Sequence, residues 1–442
     1  MRRLRGLIRH LGIPGSAAQA HGLSCEATTS AAAGVPAGRR YLSSAVKEME
    51  TINEGDAPAL LTGELNLTQH PNGLMEFVLN RPKVLNALSV DQVACIGEYL
   101  WILDHKRGKE CQAILMRGEG QKAFCAGGDV RRMAEGEAAY SVRFFSREYL
   151  MDYRTSQLKK PYVALWNGIV MGGGVGISVH GSYRIATEKT MLAMPEGNIG
   201  LFPDVGASHA LAPLKGFGLY LGLTGARLNG ADVLRHGLAT HFVPSESVES
   251  LIQELREAPL GDCDVGAAHQ AVKTLLAKYG KSLDEVAKTL PPSVDQEALS
   301  AVDQVMSPPS ASLSEVMGRL RERIGSSQGQ IKDFLQKAES AIRAKCPMSC
   351  VVWHRLLKEV TKPDGSVIDL ADCLRFDFAL AQAMTVHDSY NFREGVRAAL
   401  IDKDQQPKWQ PPTIEDMEHD TQRIDMLFQC PQGERLDDVV KM

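Results

Sequence analysis

Residues 74–80, LMEFVLN, alternate apolar and polar positions as a half-buried strand does, and the run stops at Arg81-Pro82-Lys83. Ser89 stands just before an amphipathic stretch, 90–106, which predicts a helix with that serine as N-cap and a basic last turn. AILMRGEG (113–120) reads as a second strand closed by glycines. PYVALWNG (161–168) reads as a third, running into a glycine cluster and a helix over about 174–181. YRIATEK (183–189) and TMLAMP (190–195) read as further strands. This alternation predicts parallel pairing with helices covering the sheet. From about residue 207 the period lengthens: helix, turn, helix and a short strand, then an almost wholly helical stretch over 248–345 broken at TLPPSVD and MSPPSAS. A last helical segment, 369–388, leads into NFREGVRAALIDKDQQPKWQPP, and no internal repeat is visible. The pattern is an α/β half followed by a helical half, with the boundary near 250–290.

Composition narrows this little. Apolar residues make up 44% of the 442 positions and charged ones 23%, as in ordinary globular chains. A formal charge of −4 gives no general attraction to nucleic acid or membrane surfaces. No apolar run is long enough to span a bilayer. The nine cysteines are scattered without paired CxxC spacings; CPMSC, with Cys346 and Cys350, is at most half a metal site, and reduced thiols in an intracellular compartment are the simpler reading. The first fifty residues stand apart, with six arginines before position 41 and one acid, Glu26, before Glu48. That is the signature of an organelle transit peptide, mitochondrial by its GRRYLSS site, with cleavage expected near Tyr41. A basic tail without an address, or a chloroplast leader, are the rival readings.

Two glycine-rich turns carry the candidate chemistry. In KAFCAGGD (122–129) and VMGGGVG (170–176) an apolar run enters glycines and then a helical pattern. Glycine lets a ligand approach the main chain without a Cβ in the way, and a helix start leaves N–H groups unpaired and partly positive. Two such turns facing one another would hold two donors for a developing oxyanion; singly, each is only a tight strand-to-helix turn. Glu196 and Asp204, in MPEGNIGLFPDVG, follow Pro195 and Pro203 among apolar residues, and no lysine or arginine falls between Lys189 and Lys215. A carboxylate so placed is poorly solvated, basic and reactive; a turn residue or cap is the plainer role. Asp129 is expected to cap the helix behind the first glycine turn. His180 and His241 stand alone, without metal-ligand spacing. Ser178 and Ser182 lack a GxSxG elbow, and neither a phosphate-binding GxxxxGK[ST] loop nor Rossmann spacing is present.

Together, FCAGGD, NGIVMGGGVG, AMPEGNIGLFPDVG and the late FREGVRAALIDKDQQPKW resemble the crotonase (enoyl-CoA hydratase/isomerase) superfamily, and within it the 3-hydroxyisobutyryl-CoA hydrolases of mitochondrial valine breakdown. The resemblance runs from about residue 62 to 415 and is least specific over 255–345. It implies an α/β fold, a crotonase-like spiral of ββα units followed by a mainly helical C-terminal region: leader 1–45, catalytic core 46–260, helical region 261–430. It also implies an acyl-CoA thioester held by two backbone amides, which by motif are those of Gly128 and Gly173. Main chain around RPKVLNAL would lie near the nucleotide, making Lys83 and Leu85 substrate-binding candidates. The superfamily's hydratases use two glutamates; one position is Glu196, but the other is Gly176, so half of the acid–base pair for water addition is missing. The hydrolases carry acids at both 196 and 204. Glu196 would attack the thioester carbonyl to give a mixed anhydride, or activate water, and Asp204 would orient Glu196, the substrate hydroxyl or the hydrolytic water. Glu148 matches an acid beside the acyl pocket, with a solvated helix face as its plainer reading.

The implied substrate is 3-hydroxyisobutyryl-CoA, with 3-hydroxypropionyl-CoA as a second, in the mitochondrial matrix, with no cofactor and no metal. One rival is hydratase or isomerase action on a short enoyl-CoA. The other is a structural part of the mitochondrial small ribosomal subunit, a role that would tolerate erosion of the acids, which here read intact. No membrane partner is expected, nor nucleic acid outside a ribosome, and a homo-oligomer is left open.

Overall fold

The computed structural model describes residues 63–105, 110–260, 264–307 and 312–429; the expected leader lies outside them. The described residues form ten strands in two sheets. The first contains β1 (Leu65–Gln69), β2 (Leu74–Leu79), β3 (Ala113–Gly118), β5 (Tyr162–Trp166), β7 (Tyr183–Ala186) and β10 (His241–Phe242), in that order. The second contains β4 (Ala123–Cys125), β6 (Ile169–Met171), β8 (Met191–Ala193) and β9 (Leu228–Asn229). After each of β3, β5 and β7 the chain adds one short strand to the second sheet. Helices α1 (Val90–His105), α2 (Val130–Glu135), α3 (Ala138–Gln157) and α4 (Gly173–Val179) follow successive strand pairs, which is the expected spiral of ββα units.

Pairing is parallel except at two edges, where β1 lies antiparallel to β2 and β9 to β8. The parallel pattern predicted from sequence holds for the centre of both sheets. Strand β1 was not expected; only its first residue is fully buried, so it lacks the apolar run that marks its neighbours. The strands predicted at 183–189 and 190–195 are shorter, because each chain leaves the sheet at a turn bonded through Thr187 and Thr190. Ser89 does cap α1: its hydroxyl accepts the Gln92 N–H at 3.3 Å, while the Gln92 side chain accepts the Ser89 N–H at 2.9 Å, a reciprocal box.

Strands β2, β3 and β5 are buried on both faces, and their alternate residues enter two different cores. Ala113, Leu115, Val163 and Leu165 pack under helices 248–257 and 265–279. Ile114, Met116, Ala164 and Trp166 face the larger core, which continues without a break into the C-terminal helices through Trp353, Phe378 and Phe392. Helix 370–382 widens into a π-turn over Ala383–His387, and helix 390–396 into another over Arg397–Ile401. No helix of the described residues is long and apolar enough to cross a membrane.

Candidate active site

Neighbouring parallel strands of the second sheet deliver the two glycine turns to one place. Strand β4 ends at Cys125 and turns through Gly127, at φ 101°, into α2; β6 ends at Met171 and turns through Gly172, at φ 49°, into α4. The turns lie backbone to backbone: a Cβ on Gly127 would stand 3.6 Å from Gly173 N, and one on Gly172 would stand 3.5 Å from Gly127 Cα. Gly127 and Gly172 both sit at a positive φ that side chains rarely adopt, and a Cβ on Gly172 would also crowd Glu196 Oε1 at 3.0 Å, which is why the positions are bare. Leu88 binds the strand segment through Gly127 O and Asp129 N, at 2.8 and 2.9 Å, which turns the Gly128 N–H away from that bridge. The N–H groups of Gly128 and Gly173 have no acceptor among the described residues. Asp129 caps α2 as expected, accepting the Arg132 N–H, and pairs with Arg81 at 3.2 Å.

Both amides border a cavity of about 250 Å³. Met133, Phe144 and Phe145 give it an apolar wall, Glu148, Glu196 and Asp204 line it, and Leu400 closes one side. Glu196 opens a 3-10 turn, Glu196–Ile199, behind Pro195. Its Oε1 lies 3.0 Å from where a Cβ on Gly172 would be, and its Oε2 has no hydrogen-bond partner. Helix 390–396 rests directly on this turn, since a Cβ on Gly395 would come within 2.5 Å of the Ile199 backbone. The late FREGVR motif therefore serves as the back wall of the Glu196 turn. Asp204 accepts the Tyr149 hydroxyl at 2.7 Å. Glu148, on α3, has its Oε1 unpaired and is the first atom that a side chain on Gly173 would strike.

Two further acids that the sequence reading did not select complete the cluster. Asp152, one turn after Glu148, has both oxygens unpartnered. Asp377, on helix 370–382, accepts the Gly206 N–H at 2.7 Å. All five carboxyls are buried, and no arginine, lysine or histidine bonds to any of them among the described residues. Among the described residues no group of three histidine, cysteine, aspartate or glutamate side chains is arranged to hold a metal ion. Burial therefore dominates their protonation. It pushes Glu196 well above the ordinary carboxylate range, and the Asp204 charge adds to this. Glu148 is raised by burial and then by Asp204, Asp152 and Glu196. Asp204 is raised by burial to about 6, with the Tyr149 hydrogen bond opposing the rise. An apolar-walled pocket with two free N–H donors and a buried carboxyl that keeps one oxygen unpaired can polarise a carbonyl and attack it or activate water against it.

The structure brings Glu196, Asp204, Gly128, Gly173 and Glu148 to one cavity. Lys83 and Leu85 are not in its wall. Lys83 is exposed on the turn Pro82–Val84, while the Leu85 carbonyl accepts the Ala126 N–H at 3.0 Å, beside the first glycine turn. The residues read as structural stay so. Ser178 donates to Gly174 O and accepts from Trp166, and the Ser182 hydroxyl accepts the Tyr162 N–H. His180 meets Val205 O at 2.9 Å, and burial holds it at about 4. Cys346 is buried and pushed up to about 11. Tyr149, Asp152 and Asp377 were missed. A signal existed in lone acids inside the apolar runs YLMDY and LRFDFAL, with Glu148 and Asp152 four apart on one helix face.

A family model described as enoyl-CoA hydratase/isomerase matches residues 74–428. A zebrafish (Danio rerio) protein named 3-hydroxyisobutyryl-CoA hydrolase, mitochondrial, is 42% identical over 344 residues, 76% of this chain and 82% of the relative. The human (Homo sapiens) protein of that name is 38% identical over 344 residues, 77% and 82% of the two chains. A crystal structure of a carnitinyl-CoA dehydratase from Mycobacterium thermoresistibile superposes with a TM-score of 0.69 at 28% identity, covering 84% of this chain and 98% of that one.

Proposed function

The chain belongs to the enoyl-CoA hydratase/isomerase family, and from that footing we propose that it hydrolyses the thioester of 3-hydroxyisobutyryl-CoA to 3-hydroxyisobutyrate and CoA. One observation carries the reading: a buried carboxyl, Glu196, with its Oε2 unpaired, shares a small cavity with two unpaired main-chain N–H groups. In this reading the thioester oxygen accepts from Gly128 and Gly173, and those donors meet the charge that grows as the carbonyl carbon becomes tetrahedral. Ionised Glu196 adds to that carbon and the C–S bond breaks. Glu148, whose protonated form burial and the neighbouring acids favour, gives its proton to the departing sulfur, leaving the acyl group as a mixed anhydride on Glu196. Water then cleaves the anhydride, its proton returning to Glu148. The same pocket serves if Glu196 instead takes the proton of a water that attacks directly. Asp204, fixed by Tyr149, orients Glu196, the substrate hydroxyl or the water.

Hydration of an enoyl group lacks its second acid. A side chain at Gly176 would begin 2.6 Å from Val205 Cβ and 2.7 Å from Asp152 Oδ2, so the position has no room for one. The names of the relatives support the substrate and a mitochondrial address, and the basic leader supports delivery to the matrix. In this scheme residues 46–260 supply the N–H donors and the acids at 148, 196 and 204, and 261–430 close the pocket. The test is CoA release from 3-hydroxyisobutyryl-CoA, read with a thiol reagent. Glu196→Ala should lose about 10²–10⁴-fold in kcat, and crotonyl-CoA should hardly be hydrated. A Glu196→Ala protein at near-full rate would refute the mechanism.

A further inference from the structure

Asp204 heads a turn that the chain does not adopt readily. Val205, buried and β-branched, sits at φ 55°, and Gly206 follows at 71°. A β-branched residue in that region persists only where its surroundings hold it. Three side chains from three helices do so. Tyr149 of α3 donates to Asp204 Oδ2 at 2.7 Å, and His180 at the end of α4 binds Val205 O at 2.9 Å. Asp377 accepts the Gly206 N–H at 2.7 Å. Asp377 is fully buried, and its other oxygen has no partner. A carboxyl is costly to place in a core, and this one makes a single bond there, to the turn that carries Asp204. The next residue, Phe378, meets the Tyr149 ring edge-on with centroids 6.4 Å apart, so the same helix also braces the hydroxyl that holds Asp204.

We propose that Asp377 is a positioning residue for Asp204: its carboxyl locks the Asp204–Gly206 turn, so the helical C-terminal region sets where an acid of the pocket points. The inference rests on the thioester-hydrolase reading above. Burial, followed by the Asp204 charge, pushes the Asp377 carboxyl well above the ordinary range. That shift favours the neutral acid, and an amide is the nearest substitute for it.

The full chain, its Asp377→Asn, Asp377→Ala and Asp204→Asn variants, and the Asp204→Asn/Asp377→Ala double variant are assayed on 3-hydroxyisobutyryl-CoA. Asp377→Ala should lose on the order of 10²-fold in kcat with KM nearly unchanged, the signature of a misplaced group. Asparagine, which still accepts the Gly206 N–H, should restore kcat to within about fivefold of the parent. The double variant should be no slower than Asp204→Asn beyond about twofold, because the two residues act as one unit. Asp377→Ala at parental rate, asparagine as slow as alanine, or losses that multiply in the double variant would each overturn the proposal. Should the alanine variant fail to fold, Asp377→Leu replaces it with the same expectation. Should that fail too, an Asp377→Asn rate below about a tenth of the parent's is decisive against it. A parent chain that releases no CoA from any 3-hydroxyacyl thioester removes the functional reading and this inference together; an active parent with an indifferent Asp377 removes this inference alone.

Discussion

Glu196 can attack only when ionised, so its neighbours decide the pH at which the pocket works. Burial first, and the Asp204 charge second, raise its carboxyl well above the ordinary range. A raised pKa means that the reactive form appears only as pH climbs through it, so kcat/KM should have an acid limb above the usual glutamate range. Asp204→Asn removes the second cause. The limb should then move to lower pH even while kcat falls, and a limb that stays in place would mean that Glu196 does not set it. At this scale the sequence was readable where glycines and prolines bracket the residue, as at Gly128, Gly173, Glu196 and Asp204. It was not readable for Tyr149, Asp152 and Asp377, because a lone acid in an apolar helix shows its purpose only once the fold supplies its neighbour. Lys83 and Leu85 came from motif position alone, as main chain near the nucleotide, and lie outside the wall of the acyl cavity.

Among the elements, β2, β3 and helix 248–257 are joined by one carboxylate. Glu76 on β2 accepts from Arg117 of β3 at 2.7 Å, from Arg256 at 2.9 and 3.0 Å, and meets His70 at 2.9 Å. Burial alone would raise its pKa, but the hydrogen bonds from Arg256, Arg117 and His70 outweigh burial and hold it at about 2, against 4.5 in an unperturbed chain. A depressed carboxylate contributes its stability fully above the unfolded value and loses it as pH falls towards the folded one. Here the window runs from about 4.5 down to about 2 and spans on the order of 3 kcal/mol. Glu76→Gln should therefore be less stable at pH 7 in denaturant titrations, with the gap to the parent narrowing markedly at pH 3. An equal gap at both values would reject the assignment. The same strands explain what was legible at this level. Runs buried on both faces, such as YVALW, announce themselves, whereas the three-residue strands β4, β6 and β8 are too short to show a period.

For the molecule as a whole, the α/β spiral and the C-terminal helices share one core. Trp166 lies in the spiral and bonds Ser178, while Trp353 lies in helix 347–360 and bonds Leu219 O; both are wholly buried. In the parent chain, denaturant unfolding followed by tryptophan fluorescence and by far-UV circular dichroism should report the same midpoint, as expected of one cooperative unit. Separated midpoints would mean two independent domains. The change of period near residue 250 was visible in the sequence; the shared interior was not, because the apolar face of a helix does not name what covers it. The size of the hollow carries one more consequence. At about 250 Å³ it has room for about eight molecules of liquid water, a volume that matches a short branched acyl group. Filling it replaces solvent with methyl groups against Phe144 and Phe145, so calorimetry of binding should show a heat that becomes steadily more exothermic on warming.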